Sequence, residues 1–417
     1  MAQVRILCAV VGTFGDIHPA IAVAIAAREL GAEVMLGVGA QYLEKVRSEG
    51  VSAIPIMDEV ETRLRNRGWT PEEFGFRSTL DPGLQLRELV LPTLPDTCRA
   101  IDASAQYADV VVGTMLCLGA PLVAEARGIP YVPLLLQPPR APFVGPLQMQ
   151  FERQMAERNI GPAIDELRAL GGLGPRRACP LLEFDGDVPF RIGLFSKLFS
   201  LPPEIGQPPL HVVGSWRYDA GDAKSREVSA DLDAFLAKGP PPVIATLGTA
   251  VDLGGRKYFE TWLAAIRATG RRAVLVTGRG WHGPDRGEDF IAVQYAPYRA
   301  VFPRCAAVIH HGGMGTLTFA LEAARPQVIV PQAYDQPQNA EMARRKGLAI
   351  VVPPVQLTVP HATFALNEAL RIGVTPQLEA AAQDISGEKG AETAARMLID
   401  LAIQRRQSRP ARAYPLA

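Results

Sequence analysis

The sequence predicts an α/β protein in which two doubly wound parallel sheets, each covered by helices, follow one another along the chain. At 417 residues the chain is longer than a single hydrophobic core usually supports, so two domains are expected. In both halves, short apolar runs typical of buried parallel strands alternate with helical stretches. Sheets of this kind bind ligands at the carboxyl ends of their strands, so a cleft between the two is the expected site.

The composition is that of an ordinary globular protein, with 48% apolar and 21% charged residues. Lys and Arg total 43, as do Asp and Glu, so the net charge gives no reason to expect a nucleic-acid partner. The five cysteines form no paired motif, which argues against a zinc site and fits a reducing cytoplasm. We expect no signal peptide and no transmembrane span, whereas a peripheral membrane contact stays open.

In the first half, an apolar strand at residues 4–11 is followed by a helix from Pro19 to Leu30, which Gly31 ends. The other predicted strands of this half are 33–38, 51–56, 109–113 and 131–136, and its other predicted helices are 41–49 and 121–127. Two long segments, 58–100 and 138–190, are less regular. Either they form an acceptor pocket or they are plain surface insertions.

The second half begins after a Gly/Asp-rich stretch and a run of prolines. Its predicted strands are 243–247, 273–277, 291–293, 307–310, 327–330 and 348–352, and a helix is predicted over 258–268. We therefore divide the chain into a first domain over residues 1–215 and a second domain over 216–400, followed by a C-terminal tail over 401–417. The basic, proline-containing part of this tail from Arg405 to Ala417 is expected to fray.

The most informative stretch is residues 308–316, where an apolar strand ends in His310 and His311 and then gives way to glycines and a helix. Glycines let the backbone approach a ligand, and the first N–H groups of the helix attract a phosphate. His311 can bind a phosphate oxygen, although a lone histidine is more often structural. His310 points to the other face of the strand and is expected to be structural.

Three further segments could contribute to the same site. Gly248 and Thr249 follow one strand and Gly278 follows the next, although each glycine alone could simply close a turn. Asp335 and Gln336 follow another strand, and a carboxylate beside an amide suits sugar hydroxyls. A phosphate cradle next to a hydroxyl-binding pair indicates a nucleotide-sugar site.

The segment from Tyr295 to Gln336 resembles the donor-binding signature of family 1 glycosyltransferases, which have the GT-B fold of two Rossmann-like domains facing a central cleft. The matching pieces, in family order, are residues 295–298, 305–313 and 331–336. The resemblance extends over at least residues 4–50 and 243–400. Within the family, the chain is similar to the rhamnosyltransferase subunit that makes rhamnolipids and to bacterial natural-product glycosyltransferases.

This resemblance implies that residues 1–215 form an acceptor-binding domain and residues 216–400 a donor-binding domain, and it implies a role for each matching residue. His311 and the backbone from Gly313 to Thr316 would hold the diphosphate, Asp335 and Gln336 the sugar, and Tyr295 and the Ala296 backbone the base. The implied donor-binding set is Gly248, Thr249, Tyr295, Ala296, His311, Gly313, Met314, Gly315, Thr316, Asp335 and Gln336.

Asp16, at the junction of the first strand and helix, occupies the position of the family's catalytic base, and His18, two residues on, could support it or face elsewhere. From the residues alone, Asp16 is as readily a helix cap. The implied reaction inverts the anomeric centre and needs neither a metal nor a cofactor, because helix N–H groups and His311 stabilise the leaving diphosphate.

One departure from the family concerns the nucleotide. Many members carry a ribose-binding glutamate eight residues after the phosphate-binding histidine, where this chain has Phe319. Glu322 could compensate only from a shifted register, so a UDP-sugar or a dTDP-sugar is expected.

Apolar segments of the first half predict a hydrophobic, hydroxyl-bearing acceptor. They are residues 116–120, 134–139 and 143–151, together with Trp69, Phe74 and Phe76. For any single residue of this set, core packing is an equally good explanation. Two other functions stay open at this point: a nucleotide-sugar 2-epimerase, which shares the architecture, and an inactive partner of a glycosyltransferase.

Overall fold

The computed structural model describes residues 3–81, 83–139, 145–204, 206–218, 227–248, 255–278, 281 and 283–408. Within them lie a seven-stranded sheet in the order β3-β2-β1-β4-β5-β6-β7 and a six-stranded sheet in the order β10-β9-β8-β11-β12-β13. All pairings between neighbouring strands in both sheets are parallel. The predicted fold class, two doubly wound Rossmann-like domains, is confirmed.

The first sheet takes up the first half of the chain. Its strands are β1 (Arg5–Ala9), β2 (Glu33–Gly39), β3 (Ser52–Met57), β4 (Val110–Thr114), β5 (Tyr131–Leu135), β6 (Arg191–Gly193) and β7 (Leu210–Val212). The helices of this half are α1 (Phe14–Glu29), α2 (Leu43–Ser48), α3 (Val60–Asn66), α4 (Pro71–Leu80), α5 (Leu94–Ala105), α6 (Gly119–Arg127), α7 (Pro146–Asn159) and α8 (Gly161–Leu170). The two segments expected to be irregular therefore contain α3, α4, α5, α7 and α8.

The second sheet begins after the segment that connects β7 to the second half of the chain. Its strands are β8 (Val243–Thr246), β9 (Ala273–Val276), β10 (Phe290–Val293), β11 (Ala307–His310), β12 (Gln327–Ile329) and β13 (Ile350–Val351). The helices are α9 (Ala230–Ala237), α10 (Gly255–Ala268), α11 (Tyr298–Val301), α12 (Met314–Glu322), α13 (Gln336–Arg345), α14 (Val359–Ile372), α15 (Pro376–Ser386) and α16 (Gly390–Ser408). The predicted division at residue 215 falls between β7 and β8.

Helix α1 begins five residues before the predicted start at Pro19. Thr13 caps it, and Asp16 is its third residue. Pro19 is tolerated because it stands in the second turn, where it removes only one helical hydrogen bond. The earlier start places Asp16 inside the helix, on the turn that faces the ends of the strands.

The last helix corrects the predicted tail. Helix α16 runs to Ser408, so residues 405–408 are helical rather than frayed as expected, and residues 409–417 lie outside the described part. Its buried residues Ala394, Leu398 and Leu401 belong to the core of the first sheet. The helix packs against α1, and alanines on both helices allow close contact. The sequence assigns residues up to 400 to the donor-binding domain, whereas α16 packs on the core of the first sheet.

A separate hydrophobic cluster joins the two halves. Phe195 and Phe199 of the first half pack in it with Leu317, Leu321 and Ile385 of the second. Both phenylalanines are almost completely buried. None of the helices in the described ranges is both long and apolar enough to cross a membrane.

Candidate active site

Asp16 stands at the amino end of α1, directly after β1. Its Oδ2 atom accepts a hydrogen bond from the Thr13 N–H at 2.8 Å, and Thr13 Oγ1 accepts one from Gly15 N–H at 3.2 Å. Thr13 and Asp16 form a capping box. One carboxylate oxygen of Asp16 therefore caps the helix, as expected for an aspartate near a helix N-terminus. A Cβ on Gly12 would overlap the Asp16 carboxyl group. The glycine turn therefore makes room for this carboxyl group.

The electrostatic surroundings of Asp16 include a residue from the other half of the molecule. Burial raises the pKa of Asp16 to about 6, the hydrogen bonds from Thr13 oppose that rise, and the negative charge of Asp335 adds to it. Asp335 lies in the second half, between β12 and α13. The negative charge of Asp335 therefore acts on Asp16 from the other half of the molecule.

His18 does not join Asp16. Its ring stacks on Phe14 at 4.9 Å and lies 5.2 Å from the Tyr218 ring. Burial and the charge of Lys45 lower its pKa to about 4, so it is neutral near pH 7. Residues two apart on a helix point in nearly opposite directions. The side chains of Asp16 and His18 therefore point apart, although the two residues are close in sequence.

His311 lies between two glycines. Its side chain is buried, and a Cβ on Gly248 or on Gly313 would come within 2.7 Å or 2.5 Å of the imidazole. Gly248 also has a φ of +59°, which favours glycine. The loop after β8 and the loop after β11 therefore meet at this ring. The predicted partner Thr249 lies outside the described residues.

The imidazole of His311 has an unsatisfied nitrogen. Its Nδ1 atom is buried without a hydrogen-bond partner among the described residues. Burial, and then the neighbouring His310, lower the pKa of His311 to about 3, so the ring is neutral. A buried polar atom of this kind usually awaits a ligand or a water molecule.

His310, by contrast, is structural, as predicted. Its Nε2 atom is 2.9 Å from Gln327 Oε1, and its Nδ1 accepts a hydrogen bond from Gly312 N–H at 3.1 Å. Both ring nitrogens are satisfied inside the second half, with Nε2 carrying the proton. His310 therefore fixes the glycine turn that follows it.

Helix α12 opens towards the cleft without a side-chain cap. It begins at Met314, and its N-cap, Gly313, has no side chain to accept from the first N–H groups. The N–H groups of Met314, Gly315 and Thr316 therefore lack the usual capping acceptor. Together with His311, they form a cluster of hydrogen-bond donors and a region of positive potential.

The loop that carries Asp335 and Gln336 is fixed by its own side chains. Gln336 Oε1 accepts hydrogen bonds from Gln332 N–H at 2.8 Å and Ala333 N–H at 3.1 Å. The Gln336 carbonyl group is therefore committed to the loop, which leaves its amide nitrogen as the atom to meet a ligand. Tyr334 has a φ of +59°, a strained conformation that turns the chain just before Asp335.

Asn339 connects this loop to the glycine turn, and sequence reasoning missed it. Its Nδ2 atom donates to Asp335 Oδ2 at 2.6 Å and to Gly312 O at 3.1 Å. Burial raises the pKa of Asp335, and the hydrogen bond from Asn339 opposes that rise. The spacing of four residues from Asp335 on a helix was the available signal, because it places both side chains on one face.

A polar cavity of about 300 Å³ lies at the carboxyl ends of β9 and β10. Among the residues that line it are Thr277, Gly278, Trp281 and Gln294. The next two residues after Gln294 are the predicted base-binding pair, of which Tyr295 is exposed and Ala296 is buried. The cavity therefore adjoins the segment that the sequence assigned to the base.

The position of Phe319 is apolar, and Glu322 does not compensate for it. Phe319 packs edge-on against Trp216 and Tyr298, with ring centres 5.7 and 6.3 Å apart. Glu322 instead pairs with Arg299 at 3.1 Å. Arg217 also lies 3.6 Å from Glu322, so the charge of this carboxylate is already partnered and it is a less available acceptor for a ribose.

On the acceptor side, most of the predicted walls are core. Leu118, Ala120, Leu134, Leu135 and Phe74 are buried in hydrophobic clusters, because apolar character marks burial more often than a ligand site. Trp69 packs on Phe74 and Arg77, and Phe143 and the Phe76 side chain lie outside the described part. Of the predicted walls, Leu147 and Phe151 stay exposed, and Phe14 and Met115 are exposed elsewhere in this half.

Comparisons with known proteins agree with this architecture. Residues 6–141 match the model of the glycosyltransferase family 28 N-terminal domain. Residues 287–399 match that of the erythromycin biosynthesis protein CIII-like C-terminal domain. The vancomycin aglycone glucosyltransferase of Amycolatopsis orientalis is 30% identical over 95% of this chain and 97% of its own. The dTDP-epi-vancosaminyltransferase of the same organism is 30% identical over 91% and 92%.

Solved structures show the same fold at lower identity. The calicheamicin glycosyltransferase CalG4 matches with a TM-score of 0.71 and 19% identity, over 98% of this chain and all of its own. The spinosyn forosaminyltransferase SpnP matches with a TM-score of 0.72 and 16% identity, over 96% and 100%. The chain belongs to the family 1 glycosyltransferases of the GT-B fold, in the branch of the natural-product enzymes, and it is a glycosyltransferase.

Proposed function

We propose that this glycosyltransferase moves a sugar from a nucleoside diphosphate to a hydroxyl group of a hydrophobic acceptor, with inversion and with Asp16 as the base. The observation that carries the proposal is that Asp16 follows β1 and Asp335 follows β12 in the other half, and that the charge of Asp335 raises the pKa of Asp16. One carboxylate then meets the acceptor hydroxyl and the other meets the sugar. The bond to be made lies between them.

The chemical step needs one proton acceptor and one stabilised leaving group. The acceptor oxygen attacks the anomeric carbon, its proton passes to Asp16, and the bond from that carbon to the diphosphate oxygen breaks with its electron pair on the diphosphate. Attack on the side opposite to the leaving group inverts the anomeric centre. A pKa of about 6 leaves Asp16 ionised at pH 7 and more basic than an ordinary carboxylate.

The leaving diphosphate would be held at the amino end of α12. The N–H groups of Met314, Gly315 and Thr316 and the unsatisfied nitrogen of His311 provide donors for its oxygens. A neutral His311 can donate from Nδ1 without first taking up a proton. These groups would stabilise the charge that develops as the bond breaks.

For the donor, we propose a preference for a dTDP-sugar over a UDP-sugar. Phe319 offers an apolar ring where many relatives have a ribose-binding glutamate, and Glu322 is held by Arg299. A 2′-hydroxyl would find no acceptor there. Among the structural relatives, the glycosyltransferase VinC and the spinosyn rhamnosyltransferase SpnG were solved with dTDP.

For the acceptor, we propose a hydrophobic natural product or lipid. Phe14 is exposed two residues before Asp16, and Met115 is exposed at the end of β4. The relatives act on acceptors of this kind, as the names vancomycin aglycone glucosyltransferase and sterol 3-beta-glucosyltransferase state. Apolar contacts beside the catalytic carboxylate would position the acceptor hydroxyl without forming hydrogen bonds to Asp16 themselves.

The test offers the purified protein UDP- and dTDP-sugars with a panel of hydrophobic alcohols and measures nucleoside diphosphate release and glycoside formation. Asp16→Ala should lower turnover by about 100-fold or more, the usual contribution of a general base, while nucleotide binding persists by calorimetry. Normal turnover in this variant would rule out Asp16 as the base. Tighter binding of UDP than of dTDP would contradict the Phe319 argument, and retention of configuration in the product would contradict direct displacement.

A further inference from the structure

The connection between the two halves passes beside the amino end of α12. Its residue Trp216 packs against the first core and lies edge-on to Phe319 of α12. The indole Cζ2 atom is 3.4 Å from the point where a Cβ on Gly315 would stand. Since Gly315 is the second residue of α12, the indole covers the turn whose N–H groups are assigned above to the diphosphate.

Both neighbours of Trp216 are anchored. Ser215 donates its N–H to Glu388 Oε2 at 2.7 Å, and its carbonyl accepts from Gly390 N–H at 3.0 Å. On the other side, Arg217 forms an ion pair with Glu322 at 3.6 Å. The ring is therefore presented from a fixed backbone, which reduces the entropy lost when it contacts a ligand.

The surroundings of the ring form an aromatic wall. Phe319 lies between Trp216 and Tyr298, and the Arg299 guanidinium lies 5.4 Å from the Phe319 ring centre. Tyr298 follows the base-binding pair by two residues. The wall thus runs from the diphosphate end of the donor site towards its base end, along the side that a ribose would occupy.

We propose that Trp216, although it belongs to the connection between the halves, is a donor-binding residue whose indole holds the ribose and diphosphate against α12. The inference rests on the proposed function, because it requires a nucleoside diphosphate at the amino end of α12. According to this proposal, the connecting segment binds substrate in addition to joining the two halves. If the Trp216 indole only packed between the halves, its replacement would change stability and leave nucleotide affinity unchanged.

The chain contains four tryptophans, so the proposal can be tested by their fluorescence. Wild-type protein is titrated with dTDP and, in parallel, with UDP, and the same titrations are made on Trp216→Phe, Trp216→Leu and the control Trp69→Phe. Trp69 packs against Phe74 and Arg77 in the first half, away from α12. Calorimetry gives the Kd of each variant, and a thermal melt reports its folding.

We expect nucleotide binding to change the emission of the wild type and of Trp69→Phe. Trp216→Phe should lose the part of that change that comes from Trp216, while Trp281, which lines the cavity beside the base-binding pair, accounts for the remainder. The Kd of Trp216→Phe should stay within about threefold of the wild type, whereas Trp216→Leu should bind about tenfold more weakly. In turnover assays, the donor KM of Trp216→Leu should rise more than kcat falls. A full emission change in Trp216→Phe, or a wild-type Kd in Trp216→Leu, would overturn the proposal. Failure of the wild type to bind either nucleotide would instead refute the proposed function.

Discussion

Replacing Asp16 by asparagine is expected to stabilise the protein while it abolishes turnover. The pKa of Asp16 is raised from 3.8 to about 6, so the folded state holds the ionised carboxylate less favourably than the unfolded chain does. Asparagine removes the charge but keeps an oxygen that can accept from the Thr13 N–H. The variant therefore loses the cost of the charge and retains the helix cap.

The expected gain in stability follows from the pKa shift of Asp16. About two pKa units correspond to about 3 kcal/mol at most, and the partly exposed position of Asp16 reduces this through solvent screening. We expect a gain of about 1–2 kcal/mol in the free energy of unfolding near pH 7. The same change removes the base, so kcat should fall by about 100-fold or more.

The sign of the pH dependence is opposite to that of an ordinary salt-bridged aspartate. Because the folded pKa is the higher one, the cost of the charge is complete above about pH 6 and disappears as the pH falls through the window from 6 to 3.8. The difference between variant and wild type should therefore drop to about half at pH 5. Denaturant unfolding of both proteins at pH 7.5 and pH 5 measures this difference in the free energy of unfolding.

Asp400→Asn serves as the matched control, since Asp400 is an exposed carboxylate on α16 and its loss should change stability by no more than about 0.5 kcal/mol. The reasoning would be refuted if Asp16→Asn were no more stable than the wild type at pH 7.5, or if its gain did not shrink at pH 5.

Three further outcomes are expected. In the wild type, kcat/KM should fall about tenfold per pH unit below about pH 6, because protonation removes the base; a profile flat down to pH 5 would exclude Asp16 as the titrating base. His311→Ala should weaken nucleoside diphosphate binding by about 10- to 100-fold, the effect of losing a hydrogen bond to a charged group; calorimetry measures it, and unchanged affinity would remove His311 from the phosphate site. Glu388→Ala should lower the free energy of unfolding by about 2–4 kcal/mol, because Ser196, Lys197 and Ser215 all donate to this buried carboxylate; denaturant curves that match the wild type would contradict this.

The parts of the site that could be predicted are those fixed by neighbouring residues. His311, Gly313 and the start of α12 were found because a strand, a glycine turn and a helix follow one another within one short stretch. The structural role of His310 followed from the alternation of side chains along a strand. Each of these predictions needed only the local geometry of the chain.

The rest depended on contacts between distant segments. The hydrogen bond from Asn339 to Gly312 O joins α13 to the glycine turn after β11. The spacing of Ala394, Leu398 and Leu401 indicates a buried helix face, but it does not tell that this face packs on the first core. The apolar residues assigned to an acceptor pocket were mostly core, because composition does not tell which side of a helix or strand faces a ligand. His18 was paired with Asp16 for its nearness in sequence, although a helix points the two apart.

The position of the two carboxylates suggests how substrate binding and closure of the cleft depend on each other. Asp16 and Asp335 belong to different halves, and the charge of Asp335 raises the pKa of Asp16, so like charges act across the cleft. The cluster that contains Phe195 and Leu317 and the hydrogen bond from Gln338 Nε2 to Pro138 O at 2.8 Å hold the two halves together. Sugar hydroxyls that donate to Asp335, and an acceptor hydroxyl that donates to Asp16, would each neutralise part of the repulsion. Binding of both substrates would therefore favour the closed arrangement in which the base, the anomeric carbon and the diphosphate site are aligned.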